Sequence, residues 1–312
     1  MAADAAFSDD GKTVYAINGL DLDVIDTTTG VIRQINPEGV LEIEGICRAG
    51  EGAFYLISKN ALWRWKPLSE PAVLVKQFAG DTTFSEVACS DDGKQILVVG
   101  QSTEAGRTSL LYQSESTDVF APVWLRHLPD ARILGPEFMP DGTLMFSAEG
   151  DLWHGVLEWD PIENDNGTPP TPRVSLTAYR YAPVAKRLTY SGTSNQEGVS
   201  AIAFGAGRLF AHISRMNGSG WGNIVSLDAP APMKDGSFTI HNGTEDAIKA
   251  LRSLKEIIDN PSRSFLCASP DRKHAYMTSG SGETRTHFLA DADYEKGEPI
   301  AFRIGDKILG RE

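Results

Sequence analysis

Phe7-Ser8-Asp9-Asp10-Gly11-Lys12-Thr13-Val14-Tyr15-Ala16-Ile17 decides the fold, because the chain keeps rewriting it. A short apolar run meets a tight acidic-Gly turn and resumes as a second apolar run. Asp-Gly between two such runs is a strong hairpin signal, since Gly accepts the positive φ these turns need. The plan returns as Cys89-Ser90-Asp91-Asp92-Gly93-Lys94 before Gln95-Ile96-Leu97-Val98-Val99. It returns again as Phe138-Met139-Pro140-Asp141-Gly142 before Thr143-Leu144-Met145-Phe146.

The turn position recurs at Gly11, Gly52, Gly93, Gly142 and Gly207, then at Arg272 in Ser269-Pro270-Asp271-Arg272. Intervals of about 40–65 residues, each holding four strand-like runs, are the signature of β-propeller blades with insertions. The reading predicts one all-β domain over residues 1–312, a six-bladed β-propeller. A seventh blade within 160–197 is the alternative. The second strand of each blade is continuously apolar, as a strand covered on both faces should be. One helix is predicted, Glu245–Asp259, within an insertion spanning about 244–260. Ala247, Ile248, Leu251, Leu254, Ile257 and Ile258 follow helical spacing there, Thr244 can cap the start and Pro261 follows the end.

The Ser-Asp-Asp-Gly-Lys and Pro-Asp-Gly turns leading into apolar strands resemble the repeats of TolB-like and WD40-like bacterial propellers. Glu44-Gly45-Ile46 running into Phe54-Tyr55-Leu56-Ile57-Ser58 is echoed by Glu197-Gly198-Val199 running into Arg208-Leu209-Phe210. Both are similar to strand entries of phytase-like and esterase-like propellers. The second resemblance implies a cation-assisted hydrolase or a binding propeller.

The 312 residues are 41% hydrophobic and 23% charged, enough apolar material for a full core. A formal charge of −13 opposes nucleic-acid backbones and anionic lipid as partners. No apolar run is long enough for a membrane span. Met1-Ala2-Ala3-Asp4 has neither a basic n-region nor an apolar h-region. A trimmed export signal replaced by a start Met would read the same, so the compartment stays open between cytoplasm, periplasm and secretion. A monomer is expected. Cys47, Cys89 and Cys267 all fall in apolar runs and read as buried free thiols.

Asp4, Glu44 and Glu86 each stand three residues before the apolar residue that precedes a turn. Equivalent positions on the innermost strands of successive blades converge on the central channel, and Glu197 opens a further blade slightly earlier. Glu137 lies nearby but slips register. Converging carboxylates can hold a hard cation such as calcium, so Asp4, Glu44, Glu86 and Glu197 are the candidate metal ligands. His212 is the candidate general base if the chain is an enzyme. Asn217-Gly218-Ser219-Gly220-Trp221-Gly222 reads as a loop between two strands, with Asn217, Ser219 and Trp221 as candidate contacts to a ligand or partner. No Gly-x-Ser-x-Gly elbow or close histidine metal spacing occurs. Two readings result: a non-catalytic propeller binding a protein or small ligand on one face, or a metal-assisted hydrolase of lactone or phosphoester type.

Overall fold

The structure, a computed structural model, describes residues 5–303 apart from 68, 70, 81, 103–107, 115–118, 127, 129–131, 161–172, 183–185, 191–192, 206–207, 216–221, 229–254, 260–265, 272, 280–285 and 292–299. The described secondary structure is all-β. Among the described residues no helix is long and apolar enough to cross a membrane.

The first antiparallel sheet is β1 (Ala5–Phe7), β2 (Thr13–Asn18), β3 (Asp21–Asp26) and β4 (Ile32–Ile35). The second is β5 (Ile43–Gly50), β6 (Ala53–Ser58), β7 (Ala61–Trp65) and β8 (Val73–Gln77). Next come β9 (Thr82–Cys89), β10 (Gln95–Ser102), β11 (Thr108–Ser114) and β12 (Ala121–Arg126). They are followed by β13 (Ile133–Phe138), β14 (Leu144–Ala148), β15 (Asp151–Trp159) and β16 (Val174–Ala182). The outer strands β12 and β16 pair in parallel and fuse these two four-stranded units into one eight-stranded sheet. A five-stranded sheet holds β17 (Lys186–Tyr190), β18 (Thr193–Gly205), β19 (Arg208–Arg215), β20 (Gly222–Asp228) and β21 (Lys255–Asp259). The last sheet is β22 (Leu266–Ala268), β23 (His274–Ser279), β24 (Thr286–Asp291) and β25 (Ile300–Arg303).

One expectation changes. Residues 255–259, the end of the predicted helix, form β21 and pair antiparallel with β20. An open strand edge there offers a ladder that local helical spacing does not register, and the adjacent Ile257 and Ile258 are β-branched residues suited to it. The rest of the expected helix lies outside the described residues. In 160–197 the described strands are β16, which completes the sheet of β13–β15, and the β17–β18 hairpin, which joins the following sheet.

The first strands of the four-stranded units, with β18, the second strand of the five-stranded sheet, touch in a closed cycle: β1 meets β5, β5 meets β9, β9 meets β13, β13 meets β18, β18 meets β22, and β22 meets β1. The second strands β2, β6 and β14 are almost wholly buried, β14 completely, whereas all five residues of β8, a fourth strand, are exposed. That gradient is the sign of sheets packed face to face about an axis. The apolar clusters are shared between neighbours rather than owned by one sheet. Tyr15 of β2 lies edge-on to Phe54 of β6 at 4.8 Å and to Trp65 of β7 at 5.6 Å. Phe7, Val14 and Ile25 of the first sheet pack with Cys267, Tyr276 and Leu289 of the last. Across that same seam, fully buried His287 is bonded to Tyr276 at 2.6 Å and brings Nε2 to 4.0 Å from fully buried Asp23.

The repeated turn is one hydrogen-bond device used three times. Ser8 donates to Asp10 at 2.7 Å while the Lys12 and Thr13 N–H groups donate to Asp10 and Ser8. Ser90 with Asp92, and Ser269 with Asp271, repeat it at 2.6 Å each. Hydrogen bonds from these serines, the largest influence, hold the Asp10, Asp92 and Asp271 carboxyls below their ordinary range.

Gly93 and Gly19 both have φ of 70°. A Cβ on Gly19 would meet nothing within 4 Å, whereas one on Gly93 would collide with the Ala49 carbonyl of β5. Both Gly→Ala changes lose about 1 kcal/mol to the left-handed backbone. Gly93→Ala should lose about 1–3 kcal/mol more by overpacking, measured by urea unfolding. Equal losses would mean the β9–β10 turn does not rest on β5.

Candidate functional site

The first strands surround a cavity of about 100 Å³. Residues from β1, β5, β9, β13, β18 and β22 all contribute to its wall. Small and apolar side chains dominate: Ala5, Ala6, Phe7, Ile46, Val87 and Ile202. Glu86, Glu137, Arg48 and Asp91 add charge.

Glu86 is only 4% exposed. Its Oε2 accepts a hydrogen bond from the Gly135 N–H at 2.8 Å. That donor exists because β13 is bulged between Leu134 and Glu137, which interrupts its ladder with β14. Gly135 has φ of 55°, a conformation glycine accepts readily, and Pro136 has no N–H to place in the ladder. Burial, the dominant influence, pushes the Glu86 carboxyl up to about 7, against the Gly135 hydrogen bond and the Arg132 charge, which pull it down. A carboxyl poised near neutrality on the wall of a small cavity can release or take up a proton as its surroundings gain or lose positive charge.

Glu44, which shares Glu86's spacing from a cysteine, is placed differently. The bulge in β5 falls at Glu44 itself, between the paired Ile43 and Gly45. In β9 it falls at Ser85, leaving Glu86 paired with Val99. A bulge re-aims the residue it contains. Glu44 is half-buried, is not part of the cavity wall, and its Oε2 is buried with no hydrogen-bond partner among the described residues. Burial first, and Glu42 second, raise its carboxyl above the ordinary range. Glu86 therefore lies on the cavity wall and Glu44 does not. Glu137, expected to slip register, does line the cavity, because the Gly135-Pro136 bulge restores it.

Of the other candidates, Glu197 pairs with Arg215 across β18 and β19, and His212 pairs with Ala201. Asp4, Asn217, Ser219 and Trp221 lie outside the described residues. Among the described residues no group of three or more His, Cys, Asp or Glu side chains is arranged to hold a metal ion.

The cysteine reading is corrected. Cys47 and Cys89 form a disulfide with Cα atoms 5.7 Å apart, and Cys267, also buried, lies outside it. They stand late on adjacent first strands, β5 and β9, whose close approach brings the side chains together. All three cysteines line the cavity.

At the rim, Arg48 is held between two turns. Its guanidinium donates to the Asp91 carbonyl at 3.0 Å and to the Asp91 carboxylate at 3.2 Å, and lies 3.7 Å from Asp9. Asp9 also accepts the Gly52 N–H at 2.6 Å. Residues that sequence reasoning missed are thus Gly135 and Arg48, while Glu137 was seen but set aside. A Gly-Pro pair inside an apolar strand was the available signal for Gly135 and Glu137.

No family model matches the chain, and no curated protein matches it. Solved structures do. A protein described as TolB from Agrobacterium tumefaciens is 12% identical, with 90% of each chain covered and a TM-score of 0.57. A luciferin-regenerating enzyme is 8% identical over 89% of this chain and 83% of that one, with a TM-score of 0.54. An oligogalacturonate lyase in complex with manganese is 12% identical over 95% and 75%, with a TM-score of 0.51. At these identities the likeness concerns the fold: TolB-like, propeller-type, all-β.

Because the folded Glu86 carboxyl is raised from 4.5 to about 7, its ionisation costs stability above about pH 7 and costs nothing below about pH 4.5. Glu86→Gln removes that cost and retains an acceptor for the Gly135 N–H. The variant should melt several degrees above the parent near pH 8, with the gap closing by about pH 4.5. A gap independent of pH would show that Glu86 does not titrate in a buried setting.

Proposed function

We propose that the chain is a six-bladed β-propeller that binds a protein or small ligand on one face of its ring without catalysing a reaction. The observation that carries this reading is the closed cycle of first strands around a cavity, with buried Glu86 on its wall and the Ser90-Asp91 turn at its rim. A cavity with a few placed polar groups on apolar walls is the usual form of a small-ligand site. The loop carrying Asn217, Ser219 and Trp221 and the insertion at 160–173 are the proposed surfaces for a larger partner.

The alternative is a metal-assisted hydrolase with a divalent cation held by Asp4, Glu44, Glu86 and Glu197, and His212 as base. The ion would polarise substrate or water. Support for it comes from the convergence of Glu86 and Glu137, and from the manganese of the oligogalacturonate lyase with the similar fold. Glu44's position outside the cavity wall weighs against that ligand set.

Melting curves with EDTA, then with excess calcium or manganese, separate the two. The binding reading predicts an unchanged melting temperature and no metal-stimulated hydrolysis of p-nitrophenyl phosphate or a γ-lactone. A rise of several degrees that Glu86→Gln abolishes, accompanied by turnover, would replace it with the hydrolase.

A further inference from the structure

We propose that the Cys47–Cys89 disulfide is a thiol-exchange site: a low-molecular-weight thiol entering the cavity attacks Cys89 and releases Cys47 while the ring stays folded. This goes beyond the binding reading and does not depend on it.

Three observations lead there. First, the bond stands on a wall that solvent reaches. Both cysteines line the cavity, which is open to solvent. In the first and fourth units the apolar residue ahead of the turn is Phe7 or Phe138, only 2% and 1% exposed. The second and third units carry cysteines there, and the shorter side chains leave Cys47 8% exposed and Cys89 half-buried. Exchange depends on such access, and on which sulfur is reached. Cys89 is the more open of the two, so it takes the attack and Cys47 leaves.

Second, the seam between these two sheets has other ties. Asn60, in the turn between β6 and β7, donates to the Thr82 carbonyl at 2.5 Å and accepts the Phe84 N–H at 2.9 Å. Arg48 of β5 donates to the Asp91 carboxylate at 3.2 Å. Ile57 and Leu62 share a buried cluster with Phe84, Val87, Ile96 and Val98. These contacts hold the sheets together when the S–S bond opens. Third, the chain has three cysteines and so at most one disulfide within it, and the other contacts of the cycle are made without one.

The exchange balances with the thiol as reductant. A thiolate, RS⁻, bonds to the Cys89 sulfur as the S–S bond breaks, and Cys47 leaves as a thiolate that takes a proton from water. A second RS⁻ attacks the R sulfur of the Cys89 mixed disulfide, giving RSSR and a Cys89 thiolate that is protonated in turn. Two thiols are oxidised, and the protein disulfide gains two electrons. The bond joins residues 42 apart, and closing a loop of that length stabilises a fold by restricting the unfolded chain. Available thiol therefore sets how firmly the ring resists unfolding.

The test treats the air-oxidised full chain with 2-mercaptoethanol at about pH 8, then blocks thiols with N-ethylmaleimide in denaturant and counts them by intact mass. One blocked cysteine is expected before reduction and three after it. The reduction rate should be nearly the same in water and in about 1 M urea, where a route through unfolding would run at least about fivefold faster. The reduced chain should keep its circular dichroism and melt several degrees lower. Cys47→Ser and Cys89→Ser each leave one cysteine of the pair. With bis(2-hydroxyethyl) disulfide, Cys89 in the first should take up the adduct at least about tenfold faster than Cys47 in the second. If neither variant folds, the urea dependence of the parent chain still decides.

Three blocked cysteines before reduction overturn the proposal, as does a disulfide that resists 2-mercaptoethanol in the folded chain. Reduction at least about fivefold faster in about 1 M urea, or reduction that abolishes the folded circular dichroism, makes the bond structural and overturns it too. Uptake at Cys47 as fast as at Cys89 contradicts the assigned point of attack.

Discussion

The approach of neighbouring first strands is the constraint on which the rest depends. A Cβ on Gly45 of β5 would lie 3.1 Å from the Ser85 carbonyl oxygen and 3.3 Å from the Glu86 Cα of β9. Backbone therefore rests on backbone there, with no room for a side chain between. Ala5, Ala6, Ala88, Gly135 and Ala268 keep the cavity wall thin in the same way. Larger residues are displaced outward into the clusters between sheets, such as Tyr15 with Phe54 and Trp65, where apolar burial supplies the bulk of the stability. Strands this close interrupt one another's pairing. Bulges follow in β5, β9, β13 and β18, and the bulge in β13 is what turns the Gly135 N–H toward Glu86.

Two chemistries of carboxyl result, and their separation is spatial. At the rim, Asp10, Asp92 and Asp271 are solvated and fed by serine hydroxyls and backbone N–H groups, which keeps them ionised. Arg48 bridges Asp9 and Asp91 there and ties the first three sheets together. Inside, Glu86 is buried with one hydrogen-bond donor among the described residues, and its charge is disfavoured.

The hairpins were legible because turn chemistry is local: a Ser-Asp-Asp-Gly run forms the same hydrogen bonds wherever it stands. What escaped depended on distant partners. Glu44 and Glu86 share a spacing, and nothing in that spacing says that one bulge contains its glutamate while the other falls a residue earlier. Cys47 and Cys89 looked like separate small hydrophobes until two strands met. Lys255–Asp259 carries a helical stripe, yet pairs with β20. Each miss is a case of tertiary context overriding a local pattern.

The account stands or falls on whether Glu86 is enclosed by converging strands. Its side-chain carboxyl carbon, assigned in a ¹³C-glutamate-labelled sample by comparison with Glu86→Gln, can be titrated directly by NMR. Enclosure predicts a midpoint of about 7. A midpoint at the ordinary 4.5 would place the carboxyl in water and contradict a closed ring around it.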